Sequence, residues 1–419
     1  MNRIILVGNG FDLAHGLPTK YSDFVNWYWE QRLMGLANEH GMVSKDALST
    51  FKIADYGWSV YLRDYHNKIF VPNPASETIA SFIADKARFR VSISPFFDSI
   101  NKCLLNKGWV DIENEFYTHL KAIQIGKAYD TPIMLNQELE YMRDLLAKYL
   151  LHVQQNSTDC FNEAIKQQIL SPILPREVSV EAAPIFNQFA LSRFDIDQRQ
   201  WPSIWKDFGY DDRTIHSAST FLYSLDKDKK EAQENGIESV IDSKVPKKLL
   251  IPEKVMLLNF NYTNIADKYI QDNDIYSVNH IHGELKDPKN MIFGYGDELD
   301  SDYQKIVGKN DNEYLRNMKN AHYSEKPSYR EMLSFLDSSP YQIYIMGHSC
   351  GNSDRTLLNT LFEHKNCISI KPFYYKQSEG KDNYLDIVQN ISRNFTDMKL
   401  MRDRVVNKTF CEPLGDPAL

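Results

Sequence analysis

The sequence predicts an α/β fold: a parallel sheet built from the two ends of the chain, with a large, mainly helical insertion between them. The run Ile4, Ile5, Leu6 and Val7 is the first sign, because four consecutive branched aliphatic side chains fit a strand buried on both faces. The stretches "KVMLLNFNYT", "YSVNHIHGEL", "NMIFGYGDE", "YQIYIMGHSCGNSD" and "CISIKPFYY" are the second, short apolar runs that mostly close on Gly, Asn, His, Asp or Ser. Helical spacing between them, as in Leu357, Leu358, Leu361 and Phe362 or Tyr384, Ile387, Val388 and Ile391, supplies the crossovers a parallel sheet needs.

Taken in order, the first strand runs into Gly8-Asn9-Gly10, a turn whose glycines let backbone approach a bound group closely, followed by a helix. The stretch "YSDFVNWYWEQRLMGL" then places Phe24, Trp27, Tyr28 and Gln31 at helical spacing, so no second strand follows in time to carry the ribose-binding acid of a dinucleotide fingerprint. Leu13 stands where that fingerprint wants its third glycine. A hydride-transfer enzyme is therefore disfavoured. Residues 28–253 read as mainly helical, with Leu135, Leu139, Met142, Leu145, Leu146, Tyr149, Leu150 and Val153 forming one apolar face. The charge-rich segment "SLDKDKKEAQENGIESVIDSKVPKK" reads as solvated helix and loop. The expected division is a sheet domain of 1–27 and 254–419 with 28–253 inserted to cover the cleft.

A chain of 419 residues, 42% hydrophobic and 25% charged, can bury a large core. Its net charge of -8 disfavours a chain-wide nucleic-acid surface. Polar residues interrupt the N-terminal apolar run before a secretory core could form, and no stretch approaches a membrane span, so a cytoplasmic protein with no membrane partner is expected. Five scattered cysteines without a C-x-x-C pair exclude the usual zinc ribbon and argue against a disulfide framework.

In open α/β sheets ligands bind at the carboxyl ends of the strands, which is where the polar residues gather. "GHSCG", residues 347–351, fits a nucleophile elbow, yet the acid and histidine that should follow are not suitably placed; it reads better as a glycine turn whose Ser349 and amides hold a phosphate or ribose. "HIHGE" puts His280, His282 and Glu284 at alternate positions, open to a metal or to one catalytic histidine beside a structural one, with Gly283 set to splay the carboxylate away. The acids at 297, 298, 300 and 302 read as a solvated loop. Asp111 and Glu113 either cap a helix or turn to the cleft to hold ribose hydroxyls.

The motifs "ILVGNGFDLAHGLPTKYSDF", "WVDIE", "NFNYTN", "HIHGE", "FGYGDE" and "MGHSCGNSD", in this order, resemble those of the AbiH-type bacteriophage abortive-infection proteins. They are similar, more distantly, to sirtuin-like NAD-binding domains. Gly8-Asn9-Gly10 matches the sirtuin glycine turn, Asn261 the asparagine of its T-x-N-x-D element, His282-Gly283 its H-G element, and Gly347 to Ser349 its later glycine-serine turn. Asp12 stands in place of serine, Asn259 in place of threonine and Thr263 in place of aspartate, and the zinc cysteines are absent.

The resemblance implies a Rossmann-like, sirtuin-like sheet and an antiphage effector that cleaves NAD, its substrate rather than a bound cofactor, to nicotinamide and ADP-ribose. His282 would be the general base and Asn261 would orient water and ribose. Gly8, Asn9, Gly10, Phe11, Asp12, Asp111 and Glu113, with Gly347, Ser349 and Asp354, would bind the dinucleotide, Asp12 as helix cap or ribose contact. NAD or a related nucleotide is the expected partner; a phage-derived trigger and a homo-oligomer are left open. Two other readings stand beside it, a non-catalytic nucleotide-binding sensor and a metal-dependent hydrolase or nuclease using His280 and His282.

Overall fold

The structure, a computed structural model, describes residues 1–39, 42–70, 75–127, 131–157, 161–220, 222, 245–271, 273–378 and 380–415. Most of the charge-rich segment and Cys160 lie outside them. The chain forms two compact units: Met1–Gly16, Asp159–His282 and Tyr323–Leu419 in the first, Leu17–Thr158 and Gly283–His322 in the second. In chain order the main strands are β1 (Asn2–Val7), β2 (Val43–Lys45), β3 (Ser49–Ile53), β4 (Phe89–Ile93), β5 (Val255–Asn259), β6 (Tyr276–His280), β7 (Tyr341–Met346) and β8 (Cys367–Phe373).

The first unit is built on a five-stranded sheet, β6-β5-β1-β7-β8, with every pairing parallel. Counted by chain order within the sheet, the strands run 3-2-1-4-5, so the order reverses direction between β1 and β7. Ile4, Ile5, Leu6 and Val7 are fully buried, as are Ile343 to Met346 of β7, which is why these strands are apolar without alternation. The registers Val7 to Met346 and Asn259 to His280 bring four strands to a common carboxyl edge.

Arg3, Gln342 and Lys371 within this sheet find partners for their buried polar groups. Arg3 donates to the carbonyls of Ile169 (2.8 Å) and Ser171 (2.7 Å) and to Gln342 Oε1 (3.0 Å). Lys371 Nζ lies 3.0 Å from Glu177 Oε1. "NMIFGYGDE" is not a strand. Among its residues only Tyr295 forms an isolated bridge, with Met318, and the backbone of Gly294 lies so close to Asn317 that an added Cβ would stand 2.0 Å from the Asn317 carbonyl oxygen.

In the second unit β2, β3 and β4 form an antiparallel sheet that the mainly helical expectation omitted. Its buried face centres on Phe51, whose ring lies 5.0 Å from both Phe82 and Phe89. Helix Tyr21–Glu39 buries Phe24, Val25, Trp29 and Leu33, and Trp29 Nε1 donates to Asn101 Oδ1 at 3.0 Å. Helix Pro132–Asn156 starts at a Thr131 cap and buries the apolar face expected of it except Leu145, which is half-buried.

Candidate functional site

At the carboxyl ends of β1 and β7 two glycine loops meet backbone to backbone. Gly8 N donates to Met346 O (3.2 Å), Gly10 N to Gly347 O (2.8 Å) and Phe11 N to Gly8 O (2.8 Å). These three amides are thus taken up within the protein, and the phosphate cradle expected of them is not formed by them. The glycines serve the loop contact instead. A Cβ on Gly8 would stand 2.4 Å from His348 Cα, and one on Gly347 would stand 2.0 Å from Phe11 N. Gly347 also has φ +80°, a conformation that favours glycine. Gly347→Ala should therefore reduce folded yield strongly, measured as soluble protein with a cooperative thermal transition; a variant that melts like the parent would contradict this packing.

Asp12 is buried in the short helix Asn9–Ala14, whose N-cap is Gly8, so Asp12 does not cap it. Its carboxylate accepts from Asn261 Nδ2 (2.9 Å) and Thr263 Oγ1 (2.7 Å). Asn261 Nδ2 also donates to Gly8 O at 2.9 Å, and its backbone N to Asn259 Oδ1 at 3.0 Å. Both amide hydrogens of Asn261 therefore face protein acceptors, which leaves its side-chain carbonyl as the group available to a ligand. Thr263, in place of the aspartate of the resembling motif, thus answers Asp12 across the loops.

Burial pushes the Asp12 carboxyl up to about 7, against the two hydrogen bonds that favour the ion. A carboxyl raised in the folded state contributes stability that is present below its unfolded value and is lost as pH rises through the folded one. Wild-type stability should accordingly fall between about pH 4 and 7, by at most about 4 kcal/mol. Asp12→Asn keeps both bonds if the Thr263 hydroxyl turns to accept, so chemical denaturation should show that variant losing this part of the pH dependence. An unchanged pH profile would contradict the assignment.

The histidines separate. His280 ends β6 with Nδ1 at 3.3 Å from Asn259 Nδ2 and Nε2 at 3.2 Å from Asp267 Oδ1, a structural arrangement that pins the loop after β5. His282, two residues beyond the strand, directs Nε2 to Asp354 Oδ1 (3.3 Å) and to the Tyr323 hydroxyl (3.1 Å). Gly283 turns the chain with φ +89°, and Glu284 pairs with Lys286 at 2.7 Å. Among the described residues no group of three His, Cys, Asp or Glu side chains is placed to hold a metal.

Asp354 stands at the N-cap of helix Arg355–Phe362 but makes no side-chain cap bond. Its carboxylate faces inward, with Oδ1 toward His282 and Oδ2 at 3.6 Å from His348 Nε2. The Phe260 ring lies 4.1 Å from that of His348 and 5.1 Å from that of His282. Ser349 is exposed, and its carbonyl accepts from Asn390 Nδ2 at 2.8 Å. His348, Phe260 and Tyr323 escaped the sequence reading, and Thr263 was seen there only as a departure from the resembling motif. For His348 the only signal was its place in "GHSCG", one residue before the serine that drew attention.

Two expected ligands lie in the second unit. Asp111 caps helix Ile112–Gln124 by accepting from Asn114 N at 3.0 Å. Glu113 is buried, accepts from Gly294 N at 3.1 Å, and receives Lys319 Nζ at 2.8 Å. The acids of the neighbouring loop are also engaged: Asp297 is buried and accepts from Leu299 N at 2.9 Å, while Asp300 caps helix Ser301–Val307. No described helix is long and apolar enough to cross a membrane.

The family model described as bacteriophage abortive infection AbiH matches residues 4–375. No curated protein and no solved structure matches the chain. The matched span takes in the glycine loops, Asp12, Asn261, His282, Asp354 and the Glu113–Lys319 pair. With a match of that extent, the chain belongs to the AbiH family of bacteriophage abortive-infection proteins.

Proposed function

We propose that this abortive-infection protein acts by cleaving NAD to nicotinamide and ADP-ribose on a Rossmann-like, sirtuin-like sheet. The observation that carries the reading is the His282–Asp354 pair at the carboxyl ends of the parallel strands, within the unit where the strand order reverses between β1 and β7. That reversal is where open α/β sheets bind nucleotides.

In the reaction the bond between the ribose anomeric carbon and the pyridinium nitrogen breaks, and its electron pair leaves with neutral nicotinamide. No general acid is needed; the site has to support oxocarbenium-like charge and place a water. The Asp354 carboxylate beside His282 Nε2 can only accept, which favours the proton on Nε2, with the Tyr323 hydroxyl at 3.1 Å turned to accept as well, and the lone pair on Nδ1. Nδ1 then takes the proton of the attacking water or of a ribose hydroxyl, and the Asn261 carbonyl orients that group. Asp354, read from the sequence as a nucleotide contact, supports the base instead.

His282 is only 4% exposed, which favours a second reading, a nucleotide-binding sensor that does not turn over. Cellular NAD separates the two. After phage infection, cells carrying the protein should lose most of their NAD before lysis, while cells carrying His282→Ala keep it. Growth arrest with NAD intact would favour the sensor.

A further inference from the structure

His348 belongs to the "GHSCG" loop but plays no part in the chemistry described above. Its ring is 5% exposed and packs on Phe260. Cys350 N lies 3.0 Å from His348 Nδ1, and a backbone N–H can only donate, so Nδ1 is an acceptor. The proton of neutral His348 is therefore on Nε2, the nitrogen that faces Asp354 Oδ2 at 3.6 Å. That distance is an electrostatic contact rather than a hydrogen bond. While the Cys350 bond is kept, Nε2 of neutral His348 carries the proton and has no lone pair to offer a metal. Cys350 itself has φ +54°, and its carbonyl accepts from Asn394 Nδ2 at 2.9 Å, so the loop that presents His348 is held from both sides.

Asp354 is thus bracketed by two imidazoles, one on each oxygen. An N-cap aspartate usually turns back to its own helix amides. Here it does not, and the His348 N–H dipole directed at Oδ2 opposes that turn. From this we infer that His348 is a positioning residue: it holds the Asp354 carboxylate toward His282 and thereby keeps the His282 proton on Nε2 and the basic lone pair on Nδ1. The catalytic consequence rests on the NAD-cleaving reading; the tautomer consequence does not.

Two replacements separate the roles of the ring. His348→Asn keeps an acceptor near the Nδ1 position for Cys350 N and loses the donor to Asp354. His348→Gln retains a donor near the Nε2 position. Full-length protein labelled with 15N-histidine, examined at neutral pH by long-range proton–nitrogen correlation, reports the His282 tautomer directly. The expected result is an Nε2-protonated His282 in the parent and in His348→Gln, and a mixture with the Nδ1-protonated form in His348→Asn. Nicotinamide release should fall at least about tenfold in kcat for His348→Asn, part of what a general base supplies, with KM little changed and most of the loss recovered in His348→Gln. A His282 that stays wholly Nε2-protonated in His348→Asn would overturn the inference. If that variant fails to fold, an Nδ1-protonated His282 in folded His348→Gln would overturn it, and an Nε2-protonated one would support it. A tautomer change without nicotinamide release from any form, parent included, would uphold the positioning role and sink the NAD reading.

Discussion

His282→Ala should lower the rate of nicotinamide release by about 100- to 10,000-fold, the range that general-base catalysis supplies, while NAD binding persists. The reason lies in the position of the ring. His282 sits just beyond the end of β6 with its Nε2 committed to Asp354 and Tyr323, so removing it deletes the proposed base without deleting a strand. The loss should appear in kcat, because a group that acts on a proton in transit stabilises the transition state more than the bound substrate. His282→Gln is the better-packed control: it fills the space beside Phe260, offers an amide to Asp354, and provides no base. Both variants should be slowed to that extent and both should bind NAD in calorimetry. Full turnover in either would remove His282 from the mechanism.

The largest effect on stability is expected in the second unit, at Glu113 and Lys319. The Lys319 side chain is wholly buried, and its ammonium is 2.8 Å from Glu113 Oε2, while Glu113 Oε1 accepts the Gly294 amide. Taking away one partner leaves a charge in the interior without its counter-ion, which costs about 3–5 kcal/mol. Glu113→Ala should lower the midpoint of thermal unfolding by roughly 10 °C for a unit of this size. Combining Glu113→Gln with Lys319→Met removes both charges, keeps an acceptor for Gly294 and fills the space, so most of the loss should be recovered. A single variant as stable as the parent would show that the pair does not hold the loop.

Much of the sheet was legible because its signal is local. Strands β1, β5 and β7 carry runs of apolar side chains buried on both faces, and the polar residues that follow them mark the carboxyl edge. The run Met291–Ile292–Phe293 is equally apolar yet forms no strand, because a single apolar run does not tell whether a neighbour will pair with it or whether a glycine will press against foreign backbone, as Gly294 does against Asn317. The antiparallel β2–β3–β4 sheet was missed for the opposite reason: Val43–Lys45 has three residues, and Phe89–Ile93 carries Arg90 and Ser92 on its outer face, so neither stands out in a helical background.

The site was legible in residue type and less so in role. Asp354 was visible as an acid ahead of a helix, and the local rule makes such an acid a cap; only the fold shows that two histidines draw it inward. Asp12 was weighed against phosphate and ribose, whereas Asn261 and Thr263, about 250 residues along the chain, are what it meets. Glycines 8, 10 and 347 were read as room for a ligand, and they prove to be room for each other. These are tertiary facts that no spacing within one segment encodes.

The central claim is that the His282–Asp354 site breaks the nicotinamide bond, and the most direct measurement is product formation by purified full-length protein given NAD, with and without lysate of phage-infected cells. Nicotinamide and ADP-ribose should form in equal amounts under at least one of these conditions, chelator should leave the rate unchanged, and His282→Ala should release both at least about 100-fold more slowly. No release under either condition from protein that still binds NAD would contradict the claim and favour the nucleotide sensor; cleavage that persists undiminished in His282→Ala would show that the bond is broken elsewhere.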